Sequence, residues 1–377
     1  MNEKRPAKRQ EYKKGRMDIP FFAIMMIMLA FGLIMVFSAS HASAFYRQND
    51  SYYFVRQQAL AAILGLVAMA VIIGSNYKWL RHFAFPLMIV AIVLLVLVLL
   101  IGKEVNDARR WIYIGPINFQ PSEVAKLAVI VFFAHCMSVY EKHMKKFTTG
   151  VLPYVAILGV LAALLIKEPH FSGTILIGAI GMVMIFVGGA PIGSLAAMGI
   201  IGAGGLGYII MFTNYAAARI RIWRQPESDP SGLGYQILQS LYAIGSGGLM
   251  GLGLGQSRQK YLYLPEAHND FIFSIICEEL GFIGAMAVII LFALLIWRGF
   301  VIAFKAVDKF GCLLVIGIMT LVAVQFIINI AVVTNFMPVT GMPLPFFSYG
   351  GTALLLLLCE MGIVLNVSRF SVRTEEV

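Results

Sequence analysis

Residues 83–101 read FAFPLMIVAIVLLVLVLLI, an uncharged apolar run that is long enough to cross a lipid bilayer as one helix. Similar runs recur along the 377-residue chain, of which 60% is hydrophobic and only 13% is charged. The sequence therefore predicts an all-α polytopic membrane protein with about ten transmembrane helices and no separate soluble domain. We expect spans at about 19–40, 53–74, 83–101, 120–139, 150–166, 172–188, 194–213, 271–297, 310–332 and 347–367.

Lysine and arginine residues indicate how these spans are oriented. Residues 1–17 form a basic tail, residues 18–370 the transmembrane domain and residues 371–377 a short second tail. An even number of spans places both tails on one side, and the positive charges there and in alternate turns predict that this side is the cytoplasm. Topology thus explains most of the net charge of +10. So short a basic tail does not indicate binding to nucleic acid.

Seven cations contradict this charge rule, because the same topology places them outside. Such residues oppose correct insertion, which suggests that they have a use. Arginine binds phosphate oxygens in pairs, so a lipid-linked pyrophosphate is one predicted ligand. Contacts to lipid headgroups, or ion pairs with Glu104, Asp107, Glu227 and Asp229, are an equal alternative. The seven cations are Arg109, Arg110, Arg219, Arg221, Arg224, Arg258 and Lys260.

Ionisable residues within the spans are candidates for a buried polar site. Glu123 and Lys126 begin the fourth span at a spacing that lets them meet on one helix face. A pair facing inward suits either a functional cavity or a structural ion pair that holds helices together. Glu278, Glu279 and Glu360 also lie in spans, and at least one of the two adjacent glutamates should face the bundle.

The long loop between the seventh and eighth spans, residues 214–270, ends at Asp270 on the predicted outer face. Asp270 immediately precedes an apolar span, so it suits a helix N-cap. It equally suits a carboxylate general base at the mouth of a cavity, flanked by Glu266 and His268. The second outer loop, residues 338–351, contains Ser348 and is expected to form the opposite wall.

Several strings, in this order along the chain, resemble the SEDS family of shape, elongation, division and sporulation proteins, which includes FtsW, RodA and SpoVE. The resemblance extends over about 17–370 and leans toward the FtsW and SpoVE branch. Two departures are Asn269 where threonine is usual, and EPHFSGT at 168–174 in place of a common PDLGT pattern. The strings are GLIMVFSAS (32–40), DARRW (107–111), QPSEVAK (120–126), AIGSGG (243–248), YLPEAHNDF (263–271) and PFFSYGG (345–351).

This resemblance implies a peptidoglycan glycosyltransferase of the bacterial cytoplasmic membrane that joins lipid II units on the outer face. It assigns the family's essential aspartate to Asp270, which would act as the base. It also implies a class B penicillin-binding protein as transpeptidase partner, beside lipid II, the nascent glycan strand and membrane lipids. Residues expected to bind substrate are Arg109, Trp111, Glu123, Lys126, Arg221, Lys260, His268 and Ser348.

In the expected reaction, the outer cations stabilise a departing polyprenyl pyrophosphate, with Mg²⁺ or Mn²⁺ as a candidate assistant and no other cofactor predicted. Two alternatives stay open, because the same residues could bind lipid II without reacting it. One is a lipid II flippase or transporter, and the other is a scaffold without catalytic activity. The sequence does not distinguish division, elongation and sporulation roles.

Overall fold

A computed structural model describes residues 15–105, 108–114, 117–212 and 214–370. The predicted tails at 1–14 and 371–377, and Asp107, lie outside these residues. The fold is all-α, as predicted, apart from a small antiparallel sheet of β1 (Lys103–Val105), β2 (Ala108–Ile114) and β3 (Ile117–Phe119). The helices are α1 (Ile19–Gln48), α2 (Tyr53–Gly74), α3 (Leu80–Ile101), α4 (Pro121–Val139), α5 (Leu152–Lys167), α6 (Phe171–Val187), α7 (Ile192–Phe212), α8 (Asn214–Arg224), α9 (Leu233–Ser246), α10 (Ile272–Phe304), α11 (Lys309–Val333) and α12 (Gly351–Ser368).

Eight helical segments in the described residues are long and apolar enough to cross a membrane, which makes this a multi-pass membrane protein. They match eight of the predicted spans. The predicted sixth and seventh spans coincide with α6 and α7, where the apolar helices Phe171–Val187 and Ile192–Gly202 are shorter. The total of about ten spans therefore stays a prediction.

The core of the bundle surrounds α11. Within its most apolar 18 residues, 72% are buried, against 67% for α4 and α12 and 28% for α2 and α3. Helix α11 contacts α4, α6, α10 and α12, so these helices form the interior of the bundle. The exposed apolar side chains of the outer helices face the region where lipid would lie.

Basic residues predicted to be cytoplasmic gather at one end of the bundle. The guanidinium of Arg298 pairs with Asp18 at 2.8 Å, and the backbone N–H of Gly15 donates to the carbonyl of Arg369 at 2.8 Å. The first and last described segments therefore meet at this end. Which end faces the cytoplasm follows from the charge rule alone and stays a prediction.

Residues 214–270 are more ordered than a simple loop. The basic run from Arg219 lies in helix α8, where the sequence was interpreted as open loop, because its alanines and arginines favour helix. The glycine-rich stretch, residues 245–255, packs on α10, which bends at Gly281 with φ +66°. A Cβ at Gly251, where φ is +78°, would lie 2.2 Å from the Glu279 carbonyl. Glycine here permits the close approach of two backbones.

Candidate functional site

Asp270 lies two residues before the start of α10 and does not cap the helix. Phe271 occupies the N-cap position, and no side chain makes a capping hydrogen bond there. The backbone carbonyl of Asp270 instead accepts a hydrogen bond from Asn329 Nδ2 at 2.8 Å, and the same amide donates to the Met342 carbonyl at 2.8 Å. Helix α11 thereby joins the two loops beside Asp270 and leaves its carboxylate available for another role.

The loop that joins α11 to α12 forms a second wall of the site, as predicted. Gly341 has φ +71°, and a Cβ there would lie 3.4 Å from Asp270 Oδ2. Ser348 Oγ donates to the Asn269 carbonyl at 2.7 Å and accepts from the Leu344 N–H at 2.7 Å. Ser348 therefore holds the two loops together, and its predicted contact with substrate stays a prediction.

The surroundings of Asp270 favour its protonated form. Burial among the two loops, helped by the charge of Glu266, raises the pKa of Asp270 to about 7, while Arg110 and Arg219 act to lower it. The side chain nevertheless keeps part of its surface exposed. A carboxylate whose pKa lies near neutrality is well suited to accept a proton from a substrate.

Two of the seven outer cations lie within electrostatic range of Asp270, namely Arg110 and Arg219. Arg110 donates to the carbonyl of Pro169, and Arg219 donates to that of Val339. Because strand residues alternate in direction, Arg109 and Arg110 on β2 point to opposite faces of the sheet. The substrate contacts predicted from the sequence were Arg109 and Arg221. The two arginines that the structure brings near Asp270 are instead Arg110 and Arg219.

The predicted substrate contacts Arg109, Trp111 and Arg221 lie on the surface at the end of the bundle that carries Asp270. Arg109 and Arg221 are exposed, whereas Trp111 is half-buried. In the sheet, Arg109 pairs in register with Glu104, and Trp111 pairs with Lys103. Their predicted contacts with substrate are untested.

Glu168 and His170 extend the site beyond the residues predicted from the sequence. Glu168 is 1% exposed, and burial raises its pKa to about 8, against the lowering effect of Arg110. His170 is 9% exposed, and burial, with Arg110 and Lys126, lowers its pKa to about 3. Glu168 Oε1 and His170 Nδ1 have no hydrogen-bond partner among the described residues. The departure from the family pattern at 168–174 was the signal for them.

Glu123 and Lys126 meet as their spacing predicts, with 2.6 Å between Oε2 and Nζ. Lys126 is also within electrostatic range of His170 and of Glu360, which is buried in α12. His170 in turn lies within range of Arg110. A row of polar groups thus leads from the Asp270 end into the core.

Lys260 is fully enclosed. Its ammonium group donates to Glu279 Oε1 at 2.8 Å, to the Gly255 carbonyl at 2.6 Å and to Ser38 Oγ at 3.3 Å. The adjacent Glu278 accepts from the Arg258 N–H at 3.0 Å, so both glutamates face inward. These contacts use all three donors of Lys260 within the protein and do not favour its predicted contact with a phosphate.

His268 packs in an aromatic cluster, with its ring 4.4 Å from that of Phe54 and 5.8 Å from that of Tyr349. Burial is the main cause that lowers the pKa of His268 to about 4. Glu266 acts to raise this pKa and Arg47 to lower it further. The ring is therefore neutral at physiological pH and can both donate and accept hydrogen bonds.

No group of three or more His, Cys, Asp or Glu residues converges as a metal site in the part of the chain that the structure describes. Asp270 and Glu266 lie within electrostatic range of each other. Mg²⁺ commonly uses one or two carboxylates together with substrate phosphates. These two residues fit that mode only if a ligand supplies the other oxygens.

Known proteins resemble this chain over nearly its whole length. Stage V sporulation protein E of Bacillus subtilis is 44% identical over 362 residues, which are 95% of this chain and 99% of that protein. A protein named probable peptidoglycan glycosyltransferase FtsW, from Trichlorobacter lovleyi, is 39% identical over 362 residues, covering 96% and 95%.

Solved structures resemble the fold as well. One is a chain of a peptidoglycan synthase complex, described as coordinating polymerization and crosslinking, with a TM-score of 0.79, 27% identity and coverage of 94% of this chain and 98% of that one. The rod shape determining protein RodA of Thermus thermophilus has a TM-score of 0.71, 27% identity and coverage of 95% and 98%. The family model described as cell cycle protein, FtsW/RodA/SpoVE, matches residues 19–373. The chain therefore belongs to the FtsW/RodA/SpoVE family of cell cycle proteins.

Proposed function

We propose that the protein is a peptidoglycan glycosyltransferase that polymerises lipid II on the outer face of the bacterial cytoplasmic membrane. The observation that carries this proposal is the half-buried carboxylate of Asp270 between two loops, whose pKa is about 7 and which lies within electrostatic range of Arg110 and Arg219. A base beside two phosphate-binding cations is what glycosyl transfer from a diphosphate donor needs. The names of the relatives support the same reaction.

Asp270 takes the proton from the 4-hydroxyl of the acceptor sugar. The hydroxyl oxygen then forms a bond to the anomeric carbon of the donor strand, and the bond between that carbon and the diphosphate oxygen breaks. The electron pair of the broken bond leaves with the polyprenyl diphosphate. Arg110 and Arg219 stabilise the charge that develops there, because a guanidinium donates paired hydrogen bonds to phosphate oxygens.

The row of polar groups that leads from the Asp270 end through His170 and Lys126 into the core supports a substrate path into the bundle. Lys126 has a fixed position through Glu123, while His170 keeps an unpartnered nitrogen among the described residues. Buried polar atoms without partners are costly unless a ligand or water satisfies them. We infer that the donor headgroup contacts this row when it is bound.

A divalent cation is a further part of the proposal. Oxygens of the substrate diphosphate would hold Mg²⁺ or Mn²⁺, which leaves the Asp270 carboxylate available as the base, and the ion would supply additional charge stabilisation. Chelation should lower polymer yield, and added Mg²⁺ or Mn²⁺ should restore it. A yield that is unchanged by the chelator would remove the metal from the proposal.

A transpeptidase partner, a class B penicillin-binding protein, follows from the family resemblance. The similar chain comes from a complex described as coordinating polymerization and crosslinking, which supports such a partnership. Purification from native membranes of the source bacterium should recover this partner. Recovery of the chain alone would count against it.

The central test is Asp270→Asn. Asparagine is nearly isosteric and cannot accept the proton, so we expect polymer yield to fall at least about a hundredfold while folding is kept. Purified protein in detergent, with lipid II as the substrate and with its transpeptidase partner where needed, is assayed for glycan strands by gel electrophoresis. Detergent removes the two compartments that a flippase needs, so polymer from the native chain would demonstrate transfer directly.

Glu227→Gln is the matched control, because Glu227 is an exposed carboxylate in the same outer segment. This control should polymerise at the native rate. Normal polymer from Asp270→Asn would disprove the role of Asp270. No polymer from the native complex would instead favour a transporter or a scaffold.

A further inference from the structure

A cavity of about 270 Å³ is lined by the segment that precedes Asp270, without Asp270 itself. The end of α1 forms one wall with Tyr46 and Arg47, and residues 260–268 form the other. We call this cavity the Arg47 pocket. Tyr46 is 77% exposed and Arg47 is also exposed, so the pocket is accessible from outside the protein.

The charges of the Arg47 pocket favour a neutral, hydroxyl-rich ligand. Arg47 faces a wall that carries Glu266, and both lie within electrostatic range of His268. Lys260 also lines the pocket, but its ammonium is bonded to Glu279 and two other acceptors. One available cation is thus balanced by one carboxylate, whereas a phosphate would favour several cations. Neutral His268 adds a donor and an acceptor.

The size and lining of the pocket suit a sugar ring. A cavity of about 150 Å³ holds a benzene ring, so the Arg47 pocket has room for about one larger pyranose ring. The exposed ring of Tyr46 offers an apolar face with a polar end, which matches the apolar face and polar rim of a pyranose. The lining combines apolar residues such as Leu262, Leu264 and Pro265 with polar groups, as expected of a site for a ligand that has both apolar and hydroxyl surfaces.

Backbone strain supports a function for this wall. Leu262 and Glu266 line the pocket, and both adopt left-handed conformations with φ +70° and +55°. Such conformations are costly for residues other than glycine, and they concentrate at ligand sites. Asn269 Nδ2 donates to Glu266 Oε2, which ties this strained turn to the residue before Asp270.

The position of Glu266 connects the pocket to the reaction site. Glu266 lies within electrostatic range of His268 in the pocket and of Asp270. Only three residues separate Glu266 from Asp270 in the chain. A sugar held in the pocket therefore lies close to the sugar that reacts at Asp270.

We propose that the Arg47 pocket binds an N-acetylated sugar of the glycan strand next to the reacting sugar, and so retains the strand between successive additions. This proposal rests on the proposed polymerase function. In the bound state, Tyr46 stacks on the pyranose ring, Arg47 donates to acetyl or ring oxygens, and Glu266 accepts from hydroxyl groups. Retention of the strand makes each polymer longer without changing the chemical step.

The test compares Arg47→Ala and Tyr46→Ala with the native chain. We expect shorter glycan strands in both variants, with total sugar incorporation close to native. Loss of a charge-assisted hydrogen bond speeds release of the strand by about tenfold, and strand length should fall several-fold with it. Strand length is read from gels of polymer made from labelled lipid II.

Arg56→Ala is the matched control, because Arg56 is an exposed arginine near the same end that pairs with Asp50 at 2.9 Å outside the pocket. Its strand lengths should equal those of the native chain. Strands of native length in both pocket variants would overturn the proposal. Equal shortening in Arg56→Ala would also overturn it, since surface charge alone would then be the cause.

A binding measurement keeps this proposal separate from the polymerase function. A soluble tetrasaccharide of alternating N-acetylglucosamine and N-acetylmuramic acid is titrated onto Asp270→Asn protein, with and without Arg47→Ala. Arg47→Ala should weaken binding about tenfold. Equal binding would overturn the pocket even if polymer forms. Weaker binding supports it even if no polymer forms, and competition by phospholipid vesicles alone would assign the pocket to lipid headgroups.

Discussion

Lys126 and Lys260 are both buried lysines paired with a glutamate, yet their surroundings differ. The Lys126 ammonium lies 2.6 Å from Glu123 and has no second hydrogen-bond acceptor among the described residues. The Lys260 ammonium has three acceptors, Glu279, Gly255 and Ser38. An ammonium has three donors, so Lys260 is saturated within the protein while Lys126 keeps the capacity to bind a ligand.

This comparison shows that burial and charge together do not identify a substrate contact. Both residues were selected from the sequence as substrate contacts, and only Lys126 lies in the polar row that begins at the Asp270 end. Lys260 fastens the glycine-rich stretch to α10 near its bend at Gly281. The number of unused donors distinguishes the two lysines, and it depends on neighbours from distant parts of the chain.

The largest expected effect on stability follows replacement of Lys260. Lys260→Met leaves Glu279 buried without its cation, and breaking such a pair typically costs about 3–5 kcal/mol of folding free energy. We expect a large fall in the midpoint of thermal unfolding, measured in detergent. The double variant Lys260→Met with Glu279→Gln should recover much of this loss, because no unpaired charge is left.

A midpoint of thermal unfolding in Lys260→Met equal to that of the native chain would contradict the structural role of Lys260. Native stability together with lost polymer yield would restore Lys260 as a candidate substrate contact.

Lys126→Met should have the opposite balance between stability and activity. Glu123 keeps 13% of its side-chain surface exposed and lies in the first turn of α4, where a helix N-terminus favours a negative charge. We therefore expect a smaller loss of stability than in Lys260→Met and a fall in polymer yield of at least about tenfold, the effect of one lost ligand interaction of about 1.4 kcal/mol. Thermal unfolding and strand synthesis on one preparation measure both.

If Lys126→Met unfolds as readily as Lys260→Met while the remaining folded protein polymerises normally, the two lysines have the same structural role.

The smallest expected effect is a shift in the pH dependence of the reaction. With a pKa of about 7, Asp270 is a free base above neutrality, so kcat/KM should rise with pH through about 7. Glu266 raises this pKa, so Glu266→Gln should move the rise to lower pH. Arg110 lowers it, so Arg110→Gln should move the rise to higher pH.

The role of Asp270 requires that the pH midpoint of kcat/KM moves in opposite directions in Glu266→Gln and Arg110→Gln. The midpoints are obtained from rates measured over a range of pH at saturating and limiting lipid II. A midpoint that is the same in all three proteins would show that Asp270 is not the titrating group.

Much of the fold could be predicted from the sequence because long apolar runs have few alternatives in a membrane. The span predicted at 53–74 matches α2 (Tyr53–Gly74). The basic run of α8 was interpreted as loop, because a cluster of charged residues is compatible with either a surface helix or a surface loop. The sheet of β1 to β3 was also missed, because its strands are short and lie in the segment that joins two predicted spans.

The candidate site could be predicted in part. The family resemblance assigned the essential aspartate to Asp270, and the spacing of Glu123 and Lys126 predicted the contact that the structure shows between them. Arg110 and Arg219 precede Asp270 by 160 and 51 residues, so only folding brings them close to it. No local pattern indicates which of two adjacent arginines on a short strand points toward a distant aspartate.

The sequence by itself determined that this protein is a helical membrane protein of the FtsW/RodA/SpoVE family, because hydrophobic length and family motifs are properties of contiguous residues. Only the tertiary structure decided that Asp270 is enclosed by two loops and that Lys260 is saturated while Lys126 is not. It alone brought Tyr46 and Arg47 of α1 to the wall beside His268. Burial, pKa and unused hydrogen-bond capacity depend on neighbours that folding brings together from distant positions in the chain.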